Sequence, residues 1–186
     1  MDTRSPRWTE VKQELNSWGQ RELLGLVKEL FAQSAENRSF LAARLLRESL
    51  GDEILDPYRK RIFGAFYSRT GWPRANLGLW DARKAIRDYR KATSDINGSL
   101  DLMLTYVEIG TGFALEFGDL GEACYNSLCS ALEEFKSTLQ NDQDSKLYGQ
   151  FSQRLFDLAD KAKDLGWGYG DRVVEAVSSS SKRHSA

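Results

Sequence analysis

SLDLMLTYVEIGTGFALEF, residues 99–117, is the most apolar stretch of this 186-residue chain. Met103, Tyr106, Val107, Gly110, Phe113, Ala114 and Phe117 recur every three to four positions, the spacing of one face of an α-helix. Leu100, Leu104 and Ile109 widen that face beyond what one neighbour can cover, which predicts a central helix with others around it. The polar residues left over form a narrow seam: Asp101, Thr105, Glu108, Gly112 and Glu116. Strand-like alternation is almost absent from the chain, so the partners of this segment must be helices too.

Outward from it, the same period continues on both sides. Gly118 ends the central helix, and Asp119 with Glu122 fits a capping box for the next. That helix carries Cys124, Leu128, Leu132, Phe135 and Leu139. The last long helix carries Leu147, Phe151, Leu155, Leu158, Ala162 and Leu165. On the N-terminal side, residues 79–93 turn Ala82, Ile86 and Tyr89 inward, behind the loop TGWPRANLG at 70–78. Asp56-Pro57 predicts a helix start, Asp as cap and Pro in the first turn, with Tyr58, Ile62, Phe63 and Phe66 facing the core. Earlier still, NRSFLAARLL offers Phe40, Leu41, Leu45 and Leu46. The stretch 20–31 lines up Leu23, Leu24, Val27, Leu30 and Phe31 behind a Ser17–Gln20 capping box. Short connections favour antiparallel neighbours, so the predicted fold is all-α: antiparallel helical hairpins stacked as an irregular bundle of about six to eight helices. No repeat of solenoid length is present. Residues 8–177 are read as a single domain, 1–7 as a mobile N-terminus and 178–186 as a disordered tail.

The glycine run KDLGWGYGDRV, residues 163–173, invites a phosphate-loop reading. It follows a helix rather than a strand, and its spacing matches neither GxGxxG nor GxxxxGK[ST]. A helix stop fits better: Gly166 at the left-handed position after the last long helix, Trp167 and Tyr169 tucked back, and Asp171 capping a short final helix with Val173, Val174 and Val177. GWGYGDRV is also similar to an ending found in an uncharacterised bacterial family, domain of unknown function family 6155. LWDARKAIRDYRKAT (79–93) and DLMLTYVEIGTGFALEFGDLGEACYNSL (101–128) resemble that family as well. The resemblance spans about residues 20–177 and implies an all-helical fold, with no activity or catalytic residues to carry over.

Composition narrows the chemistry. A single histidine, His184, in the C-terminal tail excludes a Ser–His–Asp or Cys–His triad in the core and a multi-histidine zinc site. Cys124 and Cys129, five apart on one predicted helix, point about 140° away from each other and read as buried small apolar residues rather than a disulfide or metal pair. The net charge of −1 and the lack of a long apolar run predict a cytoplasmic protein without a membrane span. No metal, cofactor or catalytic residue is read from the sequence.

Charge is segregated, however. Residues 57–93 hold ten basic and two acidic residues, +8 against −9 for the remainder. Arg83, Arg87 and Arg90 share one helical face, with Lys84 and Lys91 beside them. This is a candidate docking face for nucleic acid or an acidic partner, unless acidic stretches of the same chain neutralise it. Glu108, on the seam of the most buried helix, is the candidate for a carboxylate enzyme, against the commoner case of an arginine partner. Asp157, Asp160 and Asp164 share one helical side but alternate with Lys161 and Lys163, a solvated face rather than a cation site. Trp72 and Trp80 flank the loop at Pro73, with Trp80 expected to anchor it to the core. The expectation is a non-enzymatic helical module that binds another protein or itself, with nucleic-acid binding through 79–93 as the alternative and a carboxylate enzyme at Glu108 the least favoured.

Overall fold

A computed structural model describes residues 5–140 and 146–184. The chain runs through α1 (Trp8–Leu15), α2 (Gln20–Gln33), α3 (Ala35–Leu45), the single turn α4 (Arg47–Leu50) and a 3-10 turn (Gly51–Leu55). It continues through α5 (Asp56–Phe66), α6 (Leu79–Thr93), α7 (Ile96–Phe117), α8 (Glu122–Gln140), α9 (Lys146–Ala162) and α10 (Tyr169–His184). Among the described residues there is no strand; an isolated bridge, Tyr67 to Pro73, closes the turn after α5. The fold is therefore all-α. Helices exceed the expected six to eight because α1 precedes the first predicted helix and the link from α3 to α5 winds into α4. The final helix also continues through 178–184, a stretch expected as tail.

The central helix is α7, as its width predicts. Twelve of its 22 residues are buried, and it packs against α5, α6, α8 and α9. Phe66 of α5 meets Tyr106 and Phe113 of α7 at ring-centroid distances of 5.9 and 5.7 Å. Cys124, Leu128, Leu132, Phe135 and Leu139 of α8 are buried, as are Phe151, Leu155, Leu158 and Ala162 of α9. Within α5 and α7, two residues depart from the expected core. Phe63 and Phe117 are about half-exposed, since Phe63 stacks on Tyr67 rather than entering the interior (4.6 Å, 16° between planes).

Polar atoms inside the bundle find partners across helices. Thr111 Oγ1 lies 2.8 Å from the Val107 carbonyl and 2.7 Å from the Tyr169 hydroxyl. Tyr106 and Ser127 share a hydrogen bond of 2.8 Å. Burial pushes the Tyr106 phenol up to about 12 and the Cys124 thiol up to about 11, so neither ionises near neutrality. Both cysteines are free and buried.

The glycine run is a helix-to-helix turn, but its left-handed residues are Trp167 (φ 59°) and Gly168 (φ 65°), not Gly166. Asp171 lies within the first turn of α10 rather than capping it. Gly170 serves packing: a Cβ there would come within 2.5 Å of the Ala162 carbonyl oxygen, so only glycine lets α10 approach the end of α9 this closely. Tyr169 is fully buried; Trp167 instead donates its indole N–H to Asp119 at 2.8 Å. Asp119 also accepts from the Gly121 amide, which leaves Gly121 rather than Asp119 preceding α8.

The N-terminal helices differ most from expectation. α1 and α2 contain no buried residue, and α2 packs mainly on α3, which in turn leans on α6. Leu23, Leu24, Val27, Leu30 and Phe31, expected in the core, lie between 37% (Leu23) and 61% (Leu24) exposed. Phe40, Leu45 and Leu46 are exposed as well, and Ala43 is the α3 residue that reaches the core. The start of α2 is set by Gly19, whose amide donates to Glu22 at 2.7 Å; Ser17 bonds back to Glu14 instead.

Candidate functional site

On α6 the apolar side, Ala82, Ala85, Ile86, Tyr89 and Ala92, fixes which residues look outward. Those are the basic residues singled out from the sequence, and tertiary packing divides them. Arg83 and Arg90 both reach Glu134 of α8, at 2.8 and 2.7 Å. Lys84 pairs with Asp88 at 2.8 Å, and Arg61 of α5 joins the same carboxylate at 2.9 Å. Burial opposes ionisation of Glu134 and Asp88, but their cationic partners outweigh it and hold both below the usual carboxylate range. Arg87 stands over the Trp80 ring, 6.0 Å from its centroid, and Lys91 is exposed. Trp80 is 66% exposed, so it does not anchor its loop to the core; it presents a flat apolar surface beside Arg87.

Glu108 is committed to Arg154 of α9, through two bonds of 2.9 and 2.6 Å. Arg154 also reaches Asp101 at 2.7 Å and Thr105 at 3.2 Å, and Arg59 of α5 holds the other oxygen of Asp101 at 2.8 Å. Burial lowers the basicity of Arg154, but Glu108 and Asp101 outweigh it and raise its pKa. The polar seam of α7 is thus a guanidinium–carboxylate ladder tying α5, α7 and α9 together. It borders a cleft of about 590 Å³ that also contains Glu48, Asp52, Asp95 and Arg47. Acids and arginines alternate there: Asp95 takes Arg47 at 3.1 Å and the Tyr89 hydroxyl at 2.7 Å. Glu108 does not line this cleft. Asp160 pairs with Lys163 and Asp157 accepts from Gln153; among the described residues no cluster of potential ligands could hold a metal ion.

A second groove, about 600 Å³, lies between α5, the loop after it, and α7. Its floor is Phe63, Gly64, Tyr67 and Ile109, and its rim carries Arg59, Lys60, Arg69 and Arg74. Spacing alone gave no hint of it, because Phe63 was expected inside.

The five tryptophans share one property that sequence reasoning overlooked. All are exposed, from 41% (Trp18) to 74% (Trp72), although Trp is a highly buried residue type on average. A readable signal existed: Trp18, Trp72 and Trp167 each adjoin a glycine, and turns lie at surfaces. Leu24, Leu30, Phe31, Phe40 and Leu45 of α2 and α3 are exposed as well.

No family model matches the chain, and no curated protein or solved structure matches it. Among the described residues no helix is long and apolar enough to cross a membrane.

Proposed function

We propose that the protein is a non-enzymatic helical module that binds another protein, with the α1–α3 segment as its docking element. The observation behind this reading is α2: fourteen residues with a continuous apolar stripe, none of them buried. An amphipathic helix of this length is marginal in water without a surface to cover its apolar side. Recognition by a groove-seated helix face, read through Leu24, Val27 and Phe31, follows established physics of helix binding. Chemical crosslinking with mass spectrometry and sedimentation, on the wild type and on a Leu24→Glu/Phe31→Glu variant, tests it. A specific crosslinked partner, or self-association, that the variant loses supports the reading. If the wild type crosslinks to nothing specific and sediments as a monomer, the reading fails.

Nucleic-acid binding through the 79–93 helix is the second reading, favoured by one observation: Trp80, Arg87 and Lys91 are all exposed along one side of α6. Against it, Arg83, Lys84 and Arg90 already hold carboxylates. It predicts retention on single-stranded DNA or RNA that collapses with salt and is lost in Arg87→Glu/Lys91→Glu. Membership in domain of unknown function family 6155 is likewise proposed on the three stretches quoted above. A carboxylate enzyme at Glu108 has no support in the geometry.

A further inference from the structure

The groove between α5 and α7 has a charge pattern that the α2 surface lacks. Its middle is apolar: Phe63 stacked on Tyr67, with Ile109 opposite. Gly64 borders this middle, and a Cβ there would meet nothing within 4 Å. Its cations stand at both ends, Lys60 one turn before Phe63, Arg69 and Arg74 on the loop beyond it. Arg59 spends its charge on Asp101 and Asp56. By contrast, Lys60, Arg69 and Arg74 are exposed and hold no carboxylate among the described residues. Asp88 neutralises Arg61 and Lys84, and Glu134 neutralises Arg83 and Arg90. Lys60, Arg69 and Arg74, like Arg87 and Lys91 on α6, have no such partner among the described residues.

We infer that this groove binds an acidic peptide segment of a partner protein, with an aromatic or aliphatic residue on Phe63 and Tyr67 and carboxylates on either side of it. The dimensions agree. From Lys60 to the end of α5 is about 9 Å at the helical rise, a distance that roughly three residues of extended chain cover. An apolar side chain on the aromatic floor with carboxylates on both sides of it along the chain can therefore reach from Lys60 toward Arg69 and Arg74. A volume of about 600 Å³ accommodates one large side chain with its flanking backbone, within the range of about 300–1,000 Å³ usual for binding sites. A single-stranded nucleic acid would also bring anions and flat rings, but it needs a continuous cationic track. This groove interrupts its cations with an apolar centre.

The inference rests on the protein being an interaction module, but on a different surface from α2. Its test is a fluorescence-anisotropy titration with a labelled peptide of about ten residues, a central Phe between pairs of Asp and Glu. Four comparison probes accompany it: the Phe→Ser peptide, the Asp/Glu→Asn/Gln peptide, oligodeoxythymidine of equal charge, and dodecanoate. Saturable binding of the first peptide is expected, weakening several-fold from about 50 to about 200 mM salt. Loss of at least about tenfold is expected in Arg69→Glu/Arg74→Glu and in Phe63→Ser, with circular dichroism unchanged because all three residues are exposed. The Leu24→Glu/Phe31→Glu variant should bind the peptide as the wild type does, so failure here and failure of the α2 reading are told apart. Three results overturn the inference: no saturable peptide binding, binding indifferent to the Arg69 and Arg74 reversals, or tighter binding of the oligonucleotide or dodecanoate than of the acidic peptide.

Discussion

Single residues set tolerances that no helical pattern displays. Gly170 sits where α10 crosses the end of α9, and a methyl group there meets the carbonyl oxygens of Ala162 and Lys163. Gly170→Ala should therefore destabilise by about 1–3 kcal/mol, measurable as a lower urea midpoint at unchanged m-value. Glu134 shows a different kind of dependence. Its carboxyl is held below the ordinary glutamate value by Arg90 and Arg83 against the effect of burial, so its pairing contributes fully above about pH 5. That contribution disappears as pH falls through the depressed folded value. Glu134→Gln should cost about 0.5–1 kcal/mol at neutral pH, and the gap from wild type should narrow steadily on acidification below about pH 4. A constant gap would refute the assignment. Cys124 and Cys129, both buried, should resist a thiol-specific reagent at pH 8 until the protein is unfolded. Their burial was legible from residue type, since a cysteine outside any disulfide or metal spacing behaves as a small apolar residue.

At the scale of the helix, α6, α8 and α9 follow their sequence periods closely, each turning the predicted residues inward. α2 has an equally regular stripe and buries none of it. Period identifies which side of a helix is apolar; it carries no information on whether the same chain supplies a cover. Two consequences follow for mutation. Leu24→Glu with Phe31→Glu should leave helical content and thermal midpoint nearly unchanged, as exposed sites do. Leu128→Ala, which empties a fully buried site on α8 against α7, should cost about 2–5 kcal/mol. If the α2 variant destabilises the isolated protein as strongly as Leu128→Ala, α2 is part of the core after all. The α6 basic side likewise could not be judged by itself: Glu134, more than forty residues away in sequence, decides which arginines are free.

For the molecule as a whole, the distribution of tryptophan is the feature with the most direct readout. The core is built from Tyr, Phe, Leu and Ala, with every Trp outside it. Native fluorescence should therefore already be red-shifted and readily quenched by acrylamide, and unfolding should move the emission maximum little. Partner binding should shift it to the blue. Emission typical of buried indole in the free protein would contradict this arrangement. The rest of the surface is balanced: the +8 of residues 57–93 is partly cancelled by Glu134 on α8 and by Asp101, and persists where Lys60, Arg69, Arg74, Arg87 and Lys91 remain exposed.

By itself the sequence determined that this protein is all-α, that α7 lies at its centre, and that its single histidine is His184. Local periodicity and composition suffice for these, since each depends only on residues within a few turns of one another. Tertiary structure alone decided that Glu108 belongs to Arg154, that Glu134 takes Arg83 and Arg90, that Phe63 faces a groove, and that α2 keeps its apolar side open. Those outcomes depend on which distant residues the packing brings within a few ångströms, and a charge or an apolar side chain is satisfied or left free only by what lies across from it.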